Sequence, residues 1–337
     1  MLKRLLILFL IPFVLCSCSK TNMEELSFSS WGSITETQII NKLITEYEKE
    51  NPNIKIKFIH IPQNYFQKLH LLFASSTAPD VIFVNNLYLP LYSNQLEDLT
   101  DIVDKSDFYP QALSALSYNG KLYAIPRDIS NFVFFYNKDI TGEIDTNWTF
   151  EDFKNIIQKT TDKNHFGVSY ERDIYWASPY TTTLGFDDGI NFYKQLEGKC
   201  APTPAQVGSS TLAQMFLDGK LGLYLSGRWM YPKISETAKS PYGIVTFPGT
   251  VTADASGWAI SKNSEHKKSA IKFVQYLSSK ESINYFTESG LIVPARIDSA
   301  KIIKEPAFIE AINKSIPNNV NKNFSKQRDL LNKKIFN

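Results

Sequence analysis

A chain of 337 residues, 43% hydrophobic and 21% charged, has ordinary soluble composition and is long for one core but comfortable for two. A formal net charge of +2 with dispersed lysines gives no electrostatic case for nucleic acid, which needs a basic stripe or patch. Aromatics reach 13%, with 23 Phe, 17 Tyr and 5 Trp; most Phe are expected in cores, whereas Trp and Tyr, with a polar tip, suit a pocket lining.

Met1 to Ser17 starts with Lys3 and Arg4 and runs on as an apolar stretch from Leu5 to Leu15, too short to span a bilayer and right for a signal-peptide core. It ends in Leu15-Cys16-Ser17-Cys18, the pattern of a bacterial lipobox. Cys18 is the expected lipidated residue, since bulky Leu15 precedes Cys16. Residues 1–17 are therefore expected as a signal peptide, and the rest as an exported body tethered to a bacterial membrane, facing the periplasm or the cell exterior. Of the three cysteines only Cys200 remains beyond this segment, which excludes a disulfide framework.

Leu26 to Trp31 reads as a strand, followed by Gly32 and a capping box, Ser33-x-x-Glu36, that starts a helix with Ile39, Ile40, Leu43, Ile44 and Tyr47 on one face. Ile54, Ile56 and Phe58 alternate with Lys55 and Lys57 as a second strand, Tyr65 to Phe73 forms a second helix, and Val81 to Val84 a third strand. This β-α-β-α-β order predicts a parallel doubly wound sheet, with ligands outside the carboxyl ends of its strands. The loops Trp31–Glu36, His60–Asn64 and Asn85–Leu87 then share one mouth.

Gly120 to Ile140, GKLYAIPRDISNFVFFYNKDI, reads as a crossing point. Leu122 to Ile125 is expected as a strand cut at Pro126, which lacks the N–H a ladder needs, and Phe132 to Tyr136 as a strand buried on both faces. The polar link 127–131 would carry the chain from one core to another, with a cleft beside it. In the second unit Phe166 to Tyr170 reads as a strand and Tyr175 to Tyr180 as an aromatic loop at a strand end or helix start. Asp187 to Leu196 and Leu212 to Phe216 read as helices. Leu221 to Leu225 is a strand whose carboxyl end delivers Ser226-Gly227-Arg228-Trp229. Tyr242 to Phe247 is a strand, Ser256 to Ile260 a second crossing, and Ala270 to Leu277 a helix; Leu291 to Arg296 returns toward the cleft. The end, Asn318 to Asn337, is polar and basic.

The crossing segment also resembles bacterial ABC-transporter extracellular solute-binding proteins of family 1, the sugar-binding, maltose-binding-protein type, in GK-x-Y-x-x-P followed by an aromatic run ending in YNKD. Four further blocks fit in order: APDVIFV at 78–84, LDGKLGLYLSGRWM at 217–230, SGWAISKNSEHKKSAIKFVQYLSS at 256–279 and SGLIVPAR at 289–296. Trp148-Thr149-Phe150-Glu151-Asp152 is similar to the helix start of the family's second lobe. The resemblance implies an α/β fold of the two-lobed periplasmic-binding-protein type II, each lobe a doubly wound mixed sheet with flanking helices, joined by a hinge. Its expected divisions are 18–125 and 258–310 for the first lobe, 126–257 for the second, and 311–337 as a tail packing on the second.

It further implies a monomeric receptor that captures a sugar or oligosaccharide and hands it to membrane permease subunits driven by a separate ATPase. A sugar presents hydroxyls in the plane of its ring and C–H groups on its faces, so its site needs fixed polar groups and aromatic plates. The aromatic candidates are Trp31, Tyr175, Trp176, Trp229 and Trp258, with Trp148 read as packing. The polar candidates are Ser33, Glu36, Asn85, Asn86, Asp128, Ser130, Asn131, Arg228 and Arg296, with Gly257 at the second crossing. For Ser33 and Glu36 the helix cap itself is an equal explanation, and Asp80 is expected to hold a turn.

No phosphate loop, H-E-x-x-H or G-x-S-x-G occurs, and His60, His70, His165 and His266 are scattered, so no metal, cofactor or enzymatic reaction is expected. The same scaffold with glycerol phosphate, a polyamine or a peptide as ligand stays open, as do a secreted carbohydrate hydrolase and a surface adhesin. A phosphate would favour Arg228 and Arg296 facing the cleft; a polyamine would favour Glu36 and Asp128.

Overall fold

The computed structural model describes residues 23–336, so the expected signal segment and Cys18 lie outside the described residues. In chain order the strands are β1 (Glu24–Ser30), β2 (Ile54–His60), β3 (Val81–Asn85), a short hairpin of β4 (Ser117–Tyr118) and β5 (Lys121–Leu122), β6 (Ile125–Ser130), β7 (Val133–Asn137), β8 (Phe166–Val168), β9 (Leu221–Ser226), β10 (Tyr242–Thr246), β11 (Val251–Ile260) and β12 (Ser315–Pro317). A six-stranded sheet has the order β12-β11-β3-β1-β2, with β6 also on β11; a four-stranded sheet has the order β10-β7-β9-β8. β1 runs parallel to β2 and β3, whereas β11 is antiparallel to β3 and β6. Each sheet anchors one lobe. Among the described residues no helix is long and apolar enough to cross a membrane.

The helix Ile34–Glu50 begins where the capping box placed it: Glu36 N–H donates to Ser33 Oγ at 3.2 Å and Ser33 N–H to Glu36 Oε2 at 2.9 Å. Its stripe of Ile40, Leu43, Ile44 and Tyr47 is buried in the first lobe's core, each such side chain contributing about 1.5–3 kcal/mol. Asp80 holds this lobe together, accepting from the Ser27 amide at 2.8 Å and from Ser264 Oγ at 2.6 Å.

The FVFFY run is buried on both faces because different elements cover each. Phe134 lies 5.9 Å from Trp148 and 5.6 Å from Phe247 in the second lobe's core, while Phe135 lies 6.4 Å from Tyr224 and 6.2 Å from Phe308. Trp148 is packing, as read, with its indole N–H donating to the Thr246 carbonyl at 2.9 Å. Cys200 is a half-buried free thiol against the same core.

Pro126 does not end a strand but lies inside β6. It sits opposite Gly257, beside the register shift between Ser256 and Gly257, so its missing N–H falls where the ladder is already interrupted. The expected polar link is consequently strand almost throughout, and the change of sheet falls between Ser130 and Val133 rather than at 125/126. The return falls between Thr246 and Val251 rather than at 257/258, since β11 is continuous through Gly257. The expected division at 310/311 also moves, because the helix Pro306–Asn313 already carries Phe308 onto the second sheet.

Tyr175 to Tyr180 is helix, not loop, within Ile174–Leu184, capped by Asp173 whose side chain accepts from Tyr175 N–H at 2.9 Å. Gly189 lets the helix Phe186–Leu196 cross it closely: a Cβ there would stand 2.5 Å from Thr181 Cα. The polar tail contains a helix, Phe324–Phe336, tied to the second lobe by Arg328 Nη2 on Asp173 at 2.6 Å and by Ile174 N–H on Asn332 Oδ1 at 2.8 Å.

Candidate functional site

Where β6 leaves the first sheet, a cavity of about 250 Å³ opens between the lobes. Its first-lobe wall carries Trp31, Glu36, Arg127, Asp128, Ser130 and Ser256; its second-lobe wall carries Arg228 and Trp229 from the carboxyl end of β9. A larger cavity of about 390 Å³ lies on the other side of Arg228, walled by Tyr231, Glu288 and Glu305. The smaller one sits at the switch between two open α/β sheets, where strand ends deliver ligand contacts, and it gathers buried charges from both lobes.

Arg127 organises its floor. The side chain is buried, 4% exposed, with Nε 2.7 Å from Asp128 Oδ2 and Nη2 3.2 Å from Glu36 Oε1. The guanidinium lies over the Phe83 ring at 4.1 Å and near that of Phe286 at 5.0 Å. Nη1 has no hydrogen-bond partner among the described residues. Burial pushes the Asp128 carboxyl above its ordinary value, with Arg127's charge and hydrogen bond opposing.

Arg228 crosses between the lobes. Its Nη1 donates to the Thr287 carbonyl at 3.0 Å and to the Ile292 carbonyl, both from the first lobe, and its Nε is unpartnered among the described residues. Burial lowers its pKa from the ordinary arginine value, opposed by Glu305 and Tyr231. Trp229 beside it is 38% exposed, a large apolar face at the cleft. Gly227 makes that pose feasible, since a Cβ there would fall 1.9 Å from the Trp229 ring. Trp31 forms the facing wall, packed on Phe83 at 4.3 Å and Tyr65 at 5.0 Å.

The remaining expected residues separate into a hinge group and residues outside the cavity. Asn86, Asn318 and Tyr175 all donate to the buried carboxylate of Asp254 on β11, at 2.9, 2.8 and 2.8 Å. Burial raises the Asp254 pKa, and these hydrogen bonds offset it only in part. Phe132, at the crossing, lies 5.3 Å from Tyr175 and 5.1 Å from Trp176. Asn131 is buried there with neither amide atom partnered among the described residues. Asn85 closes the turn after β3 by accepting from Tyr88 N–H at 3.3 Å, and exposed Ser33 is the helix cap.

Three expectations are corrected by what surrounds the residues. Trp258 is fully buried in the first lobe's core, 4.6 Å from Phe83 and 5.5 Å from Phe28, and offers no face to a ligand. Gly257 serves backbone approach within the sheet, because a Cβ there would stand 2.2 Å from the Ile125 carbonyl oxygen. Arg296 is held by Asp107 and Asp298, each at 3.0 Å, away from the cleft. Conversely, sequence reasoning passed over Arg127 and Ser256. An Arg-Asp pair inside the apolar run IPRDIS was the available signal for Arg127, since a charged pair in a buried strand needs a reason.

The family profile described as bacterial extracellular solute-binding protein matches residues 42–311. The galactooligosaccharide-binding protein of Bacillus subtilis is 24% identical over 263 residues, 69% of this chain but 62% of that protein, so the matched stretch spans less than two thirds of that relative's length. The maltodextrin-binding protein MdxE of the same organism is 25% identical over 319 residues, covering 80% of this chain and 73% of that one. Among solved structures, an ABC substrate-binding protein of Listeria monocytogenes in complex with cycloalternan superposes with a TM-score of 0.81 at 23% identity, covering 93% of this chain and 92% of that one.

Proposed function

This chain belongs to the bacterial extracellular solute-binding proteins, and from that premise we propose that it is the substrate-binding component of an ABC importer for a neutral sugar or oligosaccharide. The carrying observation is that the charged groups lining the cleft balance, two arginines against two carboxylates, and are held by contacts within the protein. Arg127 is taken by Glu36 and Asp128, and Arg228 donates into backbone carbonyls. A glycerol phosphate would need a free cation and a polyamine a free carboxylate; a neutral polyol needs neither, only hydrogen-bonding atoms and an aromatic plate such as Trp229. Names of relatives support the same class, two of them being binding proteins for galactooligosaccharide and maltodextrin.

In this reading the ligand bridges Arg127 and Asp128 on one lobe and Trp229 on the other only when the lobes are closed. Its differential affinity drives closure, and permease subunits, coupled to a separate ATPase, read the closed shape. No reaction takes place on the chain: both cleft carboxylates, Glu36 and Asp128, are engaged by one arginine, which disfavours the free acid and base that the hydrolase alternative needs. The body works as a monomer held at the membrane by lipid on Cys18, a residue outside the described part of the chain.

The test is a thermal-shift screen of the chain from Ser19 onward against mono-, di- and oligosaccharides, glycerol phosphates and polyamines. Stabilisation by one sugar class, growing as RT ln(1 + [L]/Kd) and without product formation, supports the receptor; a response only to phosphates or amines overturns the ligand class. Separately, Cys18→Ser should move the protein from the membrane to the soluble fraction.

A further inference from the structure

The two cavities beside Arg228 have separate linings that meet in that one residue: Trp31, Trp229 and residues 291–293 on the inner side, Tyr231, Ser235 and residues 287–290 on the outer. Arg228 leaves the second lobe at the end of β9 and reaches the first, where Nη1 donates to the carbonyl of Thr287 on the outer lining and to that of Ile292 on the inner one. Its guanidinium lies 5.8 Å from the ring centres of both Tyr231 and Phe308, and only 6% of the residue is exposed, so the side chain fills the gap between the lobes at this point. The turn it grips is packed from the other side: Gly290 has a φ of +81°, and a Cβ there would stand 3.2 Å from Pro232 Cγ and 3.4 Å from Tyr231 Cδ1. A buried arginine that donates to carbonyls and not to a carboxylate is expensive to keep, and its place in the wall needs a reason. At about 250 Å³ the inner cavity is smaller than the roughly 300–1,000 Å³ of most small-molecule sites, whereas joined to the outer one, about 390 Å³, it would fall inside that range.

Resting on the sugar-receptor reading above, we propose that Arg228 is a partition that sets the length of ligand the cleft accepts: it ends the inner cavity beside Trp229 and keeps a bound sugar chain out of the outer one. The selection is steric. A chain that lies on Trp229 and lengthens toward the outer cavity meets Arg228 first, and displacing it breaks both carbonyl bonds and strands two backbone acceptors and a buried charge. The outer cavity has the polar groups to hold a further sugar unit once the way is open, with Ser235, Glu236 and Glu288 in its wall.

The experiment is calorimetric titration of wild type, Arg228→Ala, Arg228→Met and Ser235→Trp with the tightest sugar found by the screen and with its homologues one unit longer at either end. In Arg228→Ala one of the longer homologues should gain about tenfold relative to the parent sugar, the scale on which filling or emptying part of a pocket discriminates. Methionine keeps a long side chain in the gap but cannot donate to the two carbonyls, so in Arg228→Met all affinities should move together and the wild-type preference should stay. Ser235→Trp fills the outer cavity without touching Arg228 and decides the matter if Arg228→Ala does not fold: every affinity should stay as in wild type, and a selective loss for a longer homologue would show that ligands already enter the outer cavity. That loss, a preference in Arg228→Ala equal to wild type, or the same change of preference in Arg228→Met, overturns the partition while leaving the sugar receptor standing. Failure of every sugar to bind wild type overturns both.

Discussion

The Tyr175 hydroxyl donates to Asp254 Oδ2 at 2.8 Å, joining a helix of the second lobe to the strand that returns the chain to the first. Asn86 follows β3 of the first lobe and Asn318 follows β12, and both donate to the other oxygen of the same carboxylate. One buried group thus gathers the segments that meet at the hinge. Motion of the lobes has to pivot around this group or break its bonds.

Tyr175→Phe removes one of the three donors while keeping the ring against Phe132. Stability should fall by about 1–2 kcal/mol, the scale of a hydrogen bond to a charged or partly charged acceptor, read as a shift of the urea midpoint without a change of slope. An unchanged midpoint would mean that the bond carries nothing in solution.

The pH dependence at Asp254 has a definite sign. Burial holds this carboxyl above its ordinary value despite the donors around it, so the folded protein retains a proton there that the unfolded chain has released. Its contribution to stability is complete below the unfolded value and is lost as pH rises through the folded one. The stability difference between wild type and Asp254→Asn should therefore be most favourable to wild type near about pH 3 and narrow toward about pH 7. A difference that grows over that interval would contradict the raised carboxyl.

Trp229 and Trp258 should respond in opposite ways to substitution by Ala. Trp229→Ala removes an exposed plate and should lower ligand affinity by about 1–3 kcal/mol with little loss of stability. Trp258→Ala empties the first lobe's core and should cost about 3–5 kcal/mol of folding free energy. Calorimetric titration beside denaturant unfolding separates the two effects, and the reverse assignment would place the ligand in the wrong wall.

Gly257→Ala sets a Cβ 2.2 Å from the Ile125 carbonyl oxygen, where the neighbouring strand, not a flexible side chain, must yield. The expected cost is about 2–3 kcal/mol, measured as a lower Tm, with β6 and β11 forced apart beside Arg127. A variant as stable as wild type would show that the two strands separate more freely than their packing implies.

Much of this was legible in the residues. The capping box at Ser33 and Glu36, the alternation of Ile54, Ile56 and Phe58, and the unbroken FVFFY run are local patterns, and each became the element it predicts. Pro126 misled because a bulge is a property of two strands: nothing near Pro126 shows that Gly257 will lie opposite it. Trp258 misled for a related reason, since β11 is a central strand flanked by β3 and β6, and neither neighbour can be read from the residues around Trp258. Arg296 has its partners at Asp107 and Asp298, one of them far away in the chain, so the sequence could not show that its charge was already used. Arg127 was hidden by the reading of its segment as a link, although its neighbour Asp128 was singled out.

The measurement that bears most directly on the central claim is calorimetric titration of the chain from Ser19 onward with the sugar found by the screen, repeated at about 50 and 500 mM salt. A cleft whose charges are internally paired should bind one neutral ligand per chain with an affinity that changes less than about twofold between the two conditions. A tenfold loss at high salt, or binding only to a charged competitor, would mean that Arg127 or Arg228 is free to meet a ligand's charge and would contradict the neutral-sugar account.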